Sequence, residues 1–576
     1  MSARFWGDLI MLISLWGQKG AANACILAEV IIAPNGQKNT YSGKIERIRA
    51  EKAGINGKEA AYNTLNNSEV KAKMSLTPVY EKYGCTQRGE EVRAQSIVEC
   101  RLSDWSENRI LAVSPRVQLS GAEVLSGEIR YGGKLYFSIV AAAPDGTLIG
   151  AERGAEFSHK ANCASAAPAQ TADVELIVEK TDVRYEGRSV ILSAIVTATI
   201  RLNVPVQLQY LAGGEGIVCD FRPVRIQKEC TCSGTAALEE EFDTDYVGDV
   251  LLHSEQVCLT RVSCSAGSLD VSGEVNLGIF AKREGENEPV SYERLIPFRA
   301  EIACDEASAG MSCRARVNIS SIQISCSCDE EKNRCRILAQ IELEIRGTVS
   351  RREEVLMAAD AFAPGYSYEL KRSEMGSEEA VCAFTAAERV SGTAAIGGEV
   401  DFSCILQSAA LCNAQIGATV SEGEIMAEGV LSALVFYKDA EGAERTVPVS
   451  LPFAFPVHCD RARAGDTARI SALCCGVSVR QKKEGELEAE GALKLYVTLL
   501  SGEKYTYVSE FICKDAEPEN ECAVSVYVPA AGDTLWETAK KLGKTPEQVQ
   551  SANPGLSFPL SGGERILVYR KKENVI

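Results

Sequence analysis

The stretch Asp270 to Cys304, "DVSGEVNLGIFAKREGENEPVSYERLIPFRAEIAC", decides the fold because it does not occur once. Its first half recurs as "VLSGEIRYGGKLYFSIVAA" around Gly127 and as "MAEGVLSALVFYKDAEG" around Gly429. With Gly273 as the matching position, the copies stand 146 and 156 residues apart. Its second half recurs as "AEFSHKANC" and "LPFAFPVHC", so that Phe157, Phe298 and Phe453 each precede Cys163, Cys304 and Cys459 by six residues. Self-similarity at a fixed period marks tandem structural units, and here it predicts three units of about 150 residues.

Each unit carries a second strand-like segment. In "CRILAQIELEIRG", Ile337, Ala339, Ile341, Leu343 and Ile345 alternate with mostly polar neighbours, and Leu487, Ala489, Leu493, Leu495, Val497 and Leu499 do so in "ELEAEGALKLYVTLL". Period two places such residues on one face of a strand. Unit one offers "SVILSAIVTATIRL", rich in β-branched residues that suit a pleated surface. Turn residues at Pro144 to Gly146 and Asp439 to Glu444 punctuate the strands. The expected class is mainly β, with three tandem sandwich-like units.

The chain has 576 residues, enough for roughly three to five domains. Apolar residues at 45% and charged residues at 24% are near globular averages, which argues against wholesale disorder. A net charge of −18 repels nucleic acid and anionic membranes, and no long Lys/Arg run offsets it. No 18-residue apolar stretch occurs, so no transmembrane segment is expected. Phe5 to Gly17 has some features of a secretory signal, with Asp8, Lys19 and a single preceding arginine against it. Residues 1–73 read as an N-terminal extension with one weakly helical segment near Lys44 to Asn63, and Met74 as the native start.

The 22 cysteines admit three readings. CxC at Cys230/Cys232 and Cys326/Cys328 places both thiols on one strand face, where each acts as a small buried hydrophobe. A metal would need about four converging soft ligands, and CxC lacks the usual zinc spacing, so no metal is expected. Exposed thiols could instead cross-link an assembly. Only His159, His253 and His458 exist, and no nucleophile-elbow, zinc-protease, P-loop or dinucleotide motif appears in a context its chemistry needs. A non-enzymatic role without cofactor is expected.

The C-terminal region reads differently. Thr534 with Glu537 forms a capping box before "LWETAKKL", which Gly543 ends; Thr545 with Gln548 forms a second box, Pro546 fills the first turn, and "NPG" at Asn553 to Gly555 stops the helix. Strand-like "AVSVYV" and "RILVYR" flank the pair. This strand, helix, helix, strand order over Ala523 to Arg570 closely resembles the LysM module, with Gly562 and Glu564 departing from that family's closing turn. The resemblance implies a small βααβ domain with a groove for N-acetylglucosamine-containing glycans such as peptidoglycan. Gly532, Asp533, Thr534 and Leu535 would form one side, and Asn553, Pro554, Gly555 and Leu556 the other.

Three β-rich units followed by such a module resemble the SPOCS-domain spore coat morphogenesis proteins of spore-forming Firmicutes, carried by Val271 to Phe298 and Ala427 to Phe453. The organisation implied is 1–73 extension, 74–228, 229–374 and 375–520 SPOCS-like repeats, and 521–571 LysM. The resemblance also implies a scaffold in the mother-cell cytoplasm at the forespore surface, docking to a SpoIVA-like coat morphogenetic ATPase, with the LysM module free to take protein instead of glycan. Two other readings stay open: a secreted peptidoglycan-binding wall protein and a metal-dependent enzyme using the cysteines.

Overall fold

Val190, Leu192, Ala194, Val196, Ala198, Ile200 and Leu202, every second residue of one segment, are wholly buried. One apolar face and one wetter face make that segment a strand lying on a core. The same alternation recurs along most of the chain, and the protein is mainly β. The computed structural model describes residues 31–32, 76–245, 247–283, 289–329, 334–396, 400–407, 416–439, 442–483, 485–516 and 524–569. The signal-like run, the helical segment near Lys44 and Met74 lie outside these residues.

A short strand β1 (Ile31–Ile32) belongs to a C-terminal sheet described below. In unit one, β2 (Thr77–Ser103), β6 (Thr171–Glu186) and β7 (Ser189–Glu215) form an antiparallel sheet with β7 central, and β3 (Arg109–Leu125), β4 (Glu128–Ala142) and β5 (Leu148–Asn162) form a meander. Unit two repeats this with β8 (Val218–Asp245), β12 (Ser312–Asp329) and central β13 (Arg334–Phe362) over the meander β9 (Val247–Ser265), β10 (Ser268–Arg283) and β11 (Pro289–Ala303). In unit three, β14 (Tyr366–Ala395), β19 (Thr467–Lys483) and central β20 (Glu486–Ala516) face β17 (Glu424–Asp439). Along one edge of β17 runs β18 (Glu444–His458), and along the other run the two segments β15 (Val400–Gln407) and β16 (Ile416–Ser421). In each unit the two sheets enclose one core, which is a β-sandwich. The long strands β8 and β14 run across positions 228/229 and 374/375, so the sheets of units two and three already begin at Val218 and Tyr366.

Registers correct the matching of unit one. Gly133, Gly273 and Gly429 stand opposite Phe157, Phe298 and Phe453. Gly127 instead matches the turn glycines Gly267 and Gly423, all three at φ between 76° and 79°. The matching glycines 133, 273 and 429 are therefore 140 and 156 positions apart, not 146 and 156. The glycines have a steric reason. A Cβ at Gly133 would lie 2.0 Å from the Gln118 carbonyl oxygen and 3.1 Å from the Phe157 ring; one at Gly273 would lie 2.6 Å from Phe298. The phenylalanine covers the bare backbone of its neighbour strand. Six residues on, the N–H groups of Cys163, Cys304 and Cys459 donate to Gly127, Gly267 and Gly423, and the three thiols are buried at the end of each core.

The units close into a ring. The meander of each meets the next: β5 meets β9, β11 meets β15, and β18 returns to β3. Val140, Phe280 and Phe436, one from each unit, share an apolar cluster in which the two phenylalanine rings stack 4.2 Å apart. At another convergence Leu208 and Tyr210, Ile226 and Met357, and Met375 and Tyr507 form a second shared cluster. Head-to-tail contacts that close satisfy every unit's interface within one chain. Polar links reinforce them: Arg88 reaches Glu229 at 3.7 Å and Glu378 at 3.5 Å, joining the first strands of all three units.

Candidate functional site

The C-terminal module is built from β21 (Val524–Tyr527), α1 (Leu535–Leu542), α2 (Pro546–Ala552) and β22 (Ile566–Tyr569); β22 pairs antiparallel with β21, and β1 pairs parallel with its other edge. Both capping boxes form: Thr534 accepts from Glu537 N–H and Thr545 from Gln548 N–H, each answered by the returning side chain. Gly543 ends α1 at φ 59°, and Pro546 opens α2. Tyr527, Ala539, Val549, Leu560 and Ile566 form the module's core.

The eight candidate groove residues separate by orientation. Gly532, Thr534, Pro554 and Gly555 are exposed, and Leu535 and Leu556 are half-buried against the module's core. Asp533 and Asn553 point inward. Asp533 accepts from the Tyr527 hydroxyl, the Ala530 N–H and, at 2.9 and 3.0 Å, the Lys541 ammonium. Burial alone would raise its pKa, but Lys541 and the other donors hold it below the ordinary carboxylate value. Asn553 donates to the carbonyls of Val549 and Leu567 and accepts from Leu567 N–H, tying α2 to β22. Gly532, at φ 90°, donates to the Leu560 carbonyl. The conformation of both loops thus depends on Gly532, Asp533 and Asn553.

The module sits on the junction of units two and three. Trp536 and Lys540, one helical turn apart on α1, face the same way. The Trp536 indole N–H donates to Asp360 at 2.9 Å, and the Lys540 ammonium reaches both oxygens of Asp360 at 2.8 and 2.7 Å. Arg372 adds a bond to Asp360 at 2.8 Å. Burial alone would raise the Asp360 pKa; Lys540 and Trp536 outweigh it and lower it. The Trp536 ring meets Phe362 edge-on at 5.2 Å, and Lys540 lies over Tyr368. Asp360, Phe362 and Arg372 escaped the sequence reading because nothing local in residues 360–372 points to a helix some 170 positions away.

The cysteines are not all alike. Cys230 and Cys232 are half-buried against the core of unit two, beside Cys304, and burial pushes Cys232 up to about 12. Cys382 lies 3.7 Å from Cys459 in unit three, and burial and that neighbour push it up to about 11. Such thiols stay protonated at neutral pH, as small buried apolar groups do. The second CxC departs from that reading. Cys328 is exposed and bonded to Cys335 on the paired strand, and Cys326 Sγ lies 3.7 Å from Cys328 Sγ. The β12–β13 register places Cys328 directly opposite Cys335, which is what makes the bond reachable.

The histidines occupy three different settings. His458 is exposed beside Asp460, at 2.9 Å. His159 stacks on Phe157 and lines a polar cavity of about 440 Å³ with Gln95, Ser96, Arg130, Tyr131 and Lys160. His253 is half-buried across the joint of units one and two, 3.3 Å from Glu152 and 3.1 Å from Glu255. No helix among the described residues is long and apolar enough to cross a membrane. No protein-family model, curated protein or solved structure matches the chain.

Proposed function

We propose that the protein is a non-enzymatic scaffold in spore coat assembly, whose LysM-like C-terminal module docks a SpoIVA-like coat ATPase while three SPOCS-like units form its rigid base. The observation that carries this reading is the strand, helix, helix, strand module seated on the ring through Asp360, with Thr534, Pro554 and Gly555 left exposed on the loops that flank its helices. Anchoring a small module on a closed ring holds its exposed loops in one orientation, which lowers the ordering cost of binding a partner. The sequence resemblance supplies the partner class.

Gly555→Arg tests the reading. A Cβ at Gly555 meets nothing within 4 Å, so the substitution is tolerated by the fold while its side chain fills the space in front of the loop. In the full chain, binding to the purified ATPase, followed by calorimetry, is expected to weaken at least about tenfold, equivalent to about 1.4 kcal/mol. ATPase binding that is absent in the unmodified chain, with saturable binding to purified peptidoglycan instead, would replace this reading with that of a wall protein.

A further inference from the structure

We propose that Cys326, Cys328 and Cys335 form a self-resolving thiol–disulfide exchange site that takes a low-molecular-weight thiol. Three sulfurs within 4.8 Å of one another, two already joined and the third 3.7 Å from the exposed member, place a nucleophile, a central sulfur and a leaving group together. Exchange proceeds by attack of a thiolate on a disulfide sulfur, and access decides which sulfur is attacked. Here access is unequal: Cys335 is 1% exposed, whereas Cys328 faces solvent.

The steps balance without an outside oxidant. A thiolate RS⁻ attacks Cys328 Sγ, the Cys328–Cys335 bond breaks, and Cys335 leaves as a thiolate that takes a proton from water. One disulfide, RS–Cys328, replaces another. Cys326 thiolate then attacks Cys328 Sγ from the same strand face, RS⁻ leaves, and a Cys326–Cys328 disulfide remains. Return attack by Cys335 restores the starting pair and closes the cycle. Burial holds the Cys326 thiol above its ordinary pKa, so resolution quickens about tenfold per pH unit below that pKa as the thiolate fraction rises.

The test equilibrates the full chain anaerobically in glutathione and glutathione disulfide, quenches with acid, alkylates, and maps the three cysteines by peptide mass spectrometry. Both Cys328–Cys335 and Cys326–Cys328 disulfides are expected in the unmodified protein. In Cys335→Ser, glutathionylated Cys328 should be at least tenfold less abundant than in Cys326→Ser/Cys335→Ser, where nothing resolves it. Detection of Cys328–Cys335 alone at every glutathione ratio, or of no disulfide among the three in excess glutathione disulfide, overturns the proposal. So does equal glutathionylation of the two variants. Mapping of the unmodified chain needs no substitution, so it decides the matter even if a serine variant fails to fold.

Discussion

His253 joins units one and two by a charge, so its contribution to the stability of that joint should fall as pH rises, and His253→Gln should remove that dependence. Its imidazole lies between Glu152 of β5 and Glu255 of β9, while Arg116 of β3 pairs with Glu255 at 2.7 Å and Ser138 of β4 lies 3.4 Å from Glu152. Burial by itself would lower the histidine pKa, but its hydrogen bonds to Glu152 and Glu255 outweigh that and raise it from 6.5 to about 9. A group whose folded pKa is raised contributes stability that is fully present below the unfolded pKa and is lost as pH rises through the folded one. The window therefore runs from about pH 6.5 to 9. At about 1.4 kcal/mol per pKa unit, the shift corresponds to roughly 3 kcal/mol at pH 6 and to little above pH 9.5. Urea unfolding of the unmodified chain and of His253→Gln, at half-unit steps from pH 6 to 10, measures it. The difference between the two should shrink by roughly 3 kcal/mol across that range; a difference that stays constant or grows with pH would refute the charged imidazole, because an unshifted histidine contributes equally to both states and one held neutral titrates only in the unfolded chain.

Asp360→Ala and Lys540→Ala, combined in a double-mutant cycle, should show a coupling of about 1–2 kcal/mol in urea unfolding, as a partly buried charge-assisted pair does; additivity would mean that the module does not sit on the ring in solution. Gly133→Ala should cost at least about 2 kcal/mol through its clash with the Gln118 carbonyl, whereas Gly84→Ala, whose Cβ meets nothing within 4 Å, should change the midpoint little. Thermal unfolding of both variants checks the contrast. Asn553→Ala removes three hydrogen bonds, two to Leu567 of β22 and one to Val549 of α2, and should destabilise the module by about 2–3 kcal/mol, visible as loss of its amide dispersion by NMR; an intact module with weakened partner binding would instead make Asn553 a contact residue.

Local chemistry made some elements legible in the sequence. The alternation of Ser189 to Leu202 needs only a water-exposed and a buried face to become a strand, and the capping boxes at Thr534 and Thr545 satisfy helix N–H groups within four residues. The Phe-to-Cys spacing in each unit was also visible, because both residues sit on the strand that closes the meander and on the turn after it. What the sequence could not reveal depends on which elements pair and pack, whether their residues lie near or far along the chain. The register that sets Gly133 opposite Phe157 is a choice between strands, and a pattern centred on Gly127 looks the same to the eye. Whether CxC is buried packing or a disulfide depends on the residue across the hairpin, Cys335 for Cys328. The inward turn of Asp533 and Asn553, the seat of α1 on Asp360 and the meeting of Val140, Phe280 and Phe436 are likewise tertiary. The Asp360 seat and the Val140, Phe280 and Phe436 cluster join residues 140 or more positions apart that meet only when the units close on one another, so no local pattern encodes them.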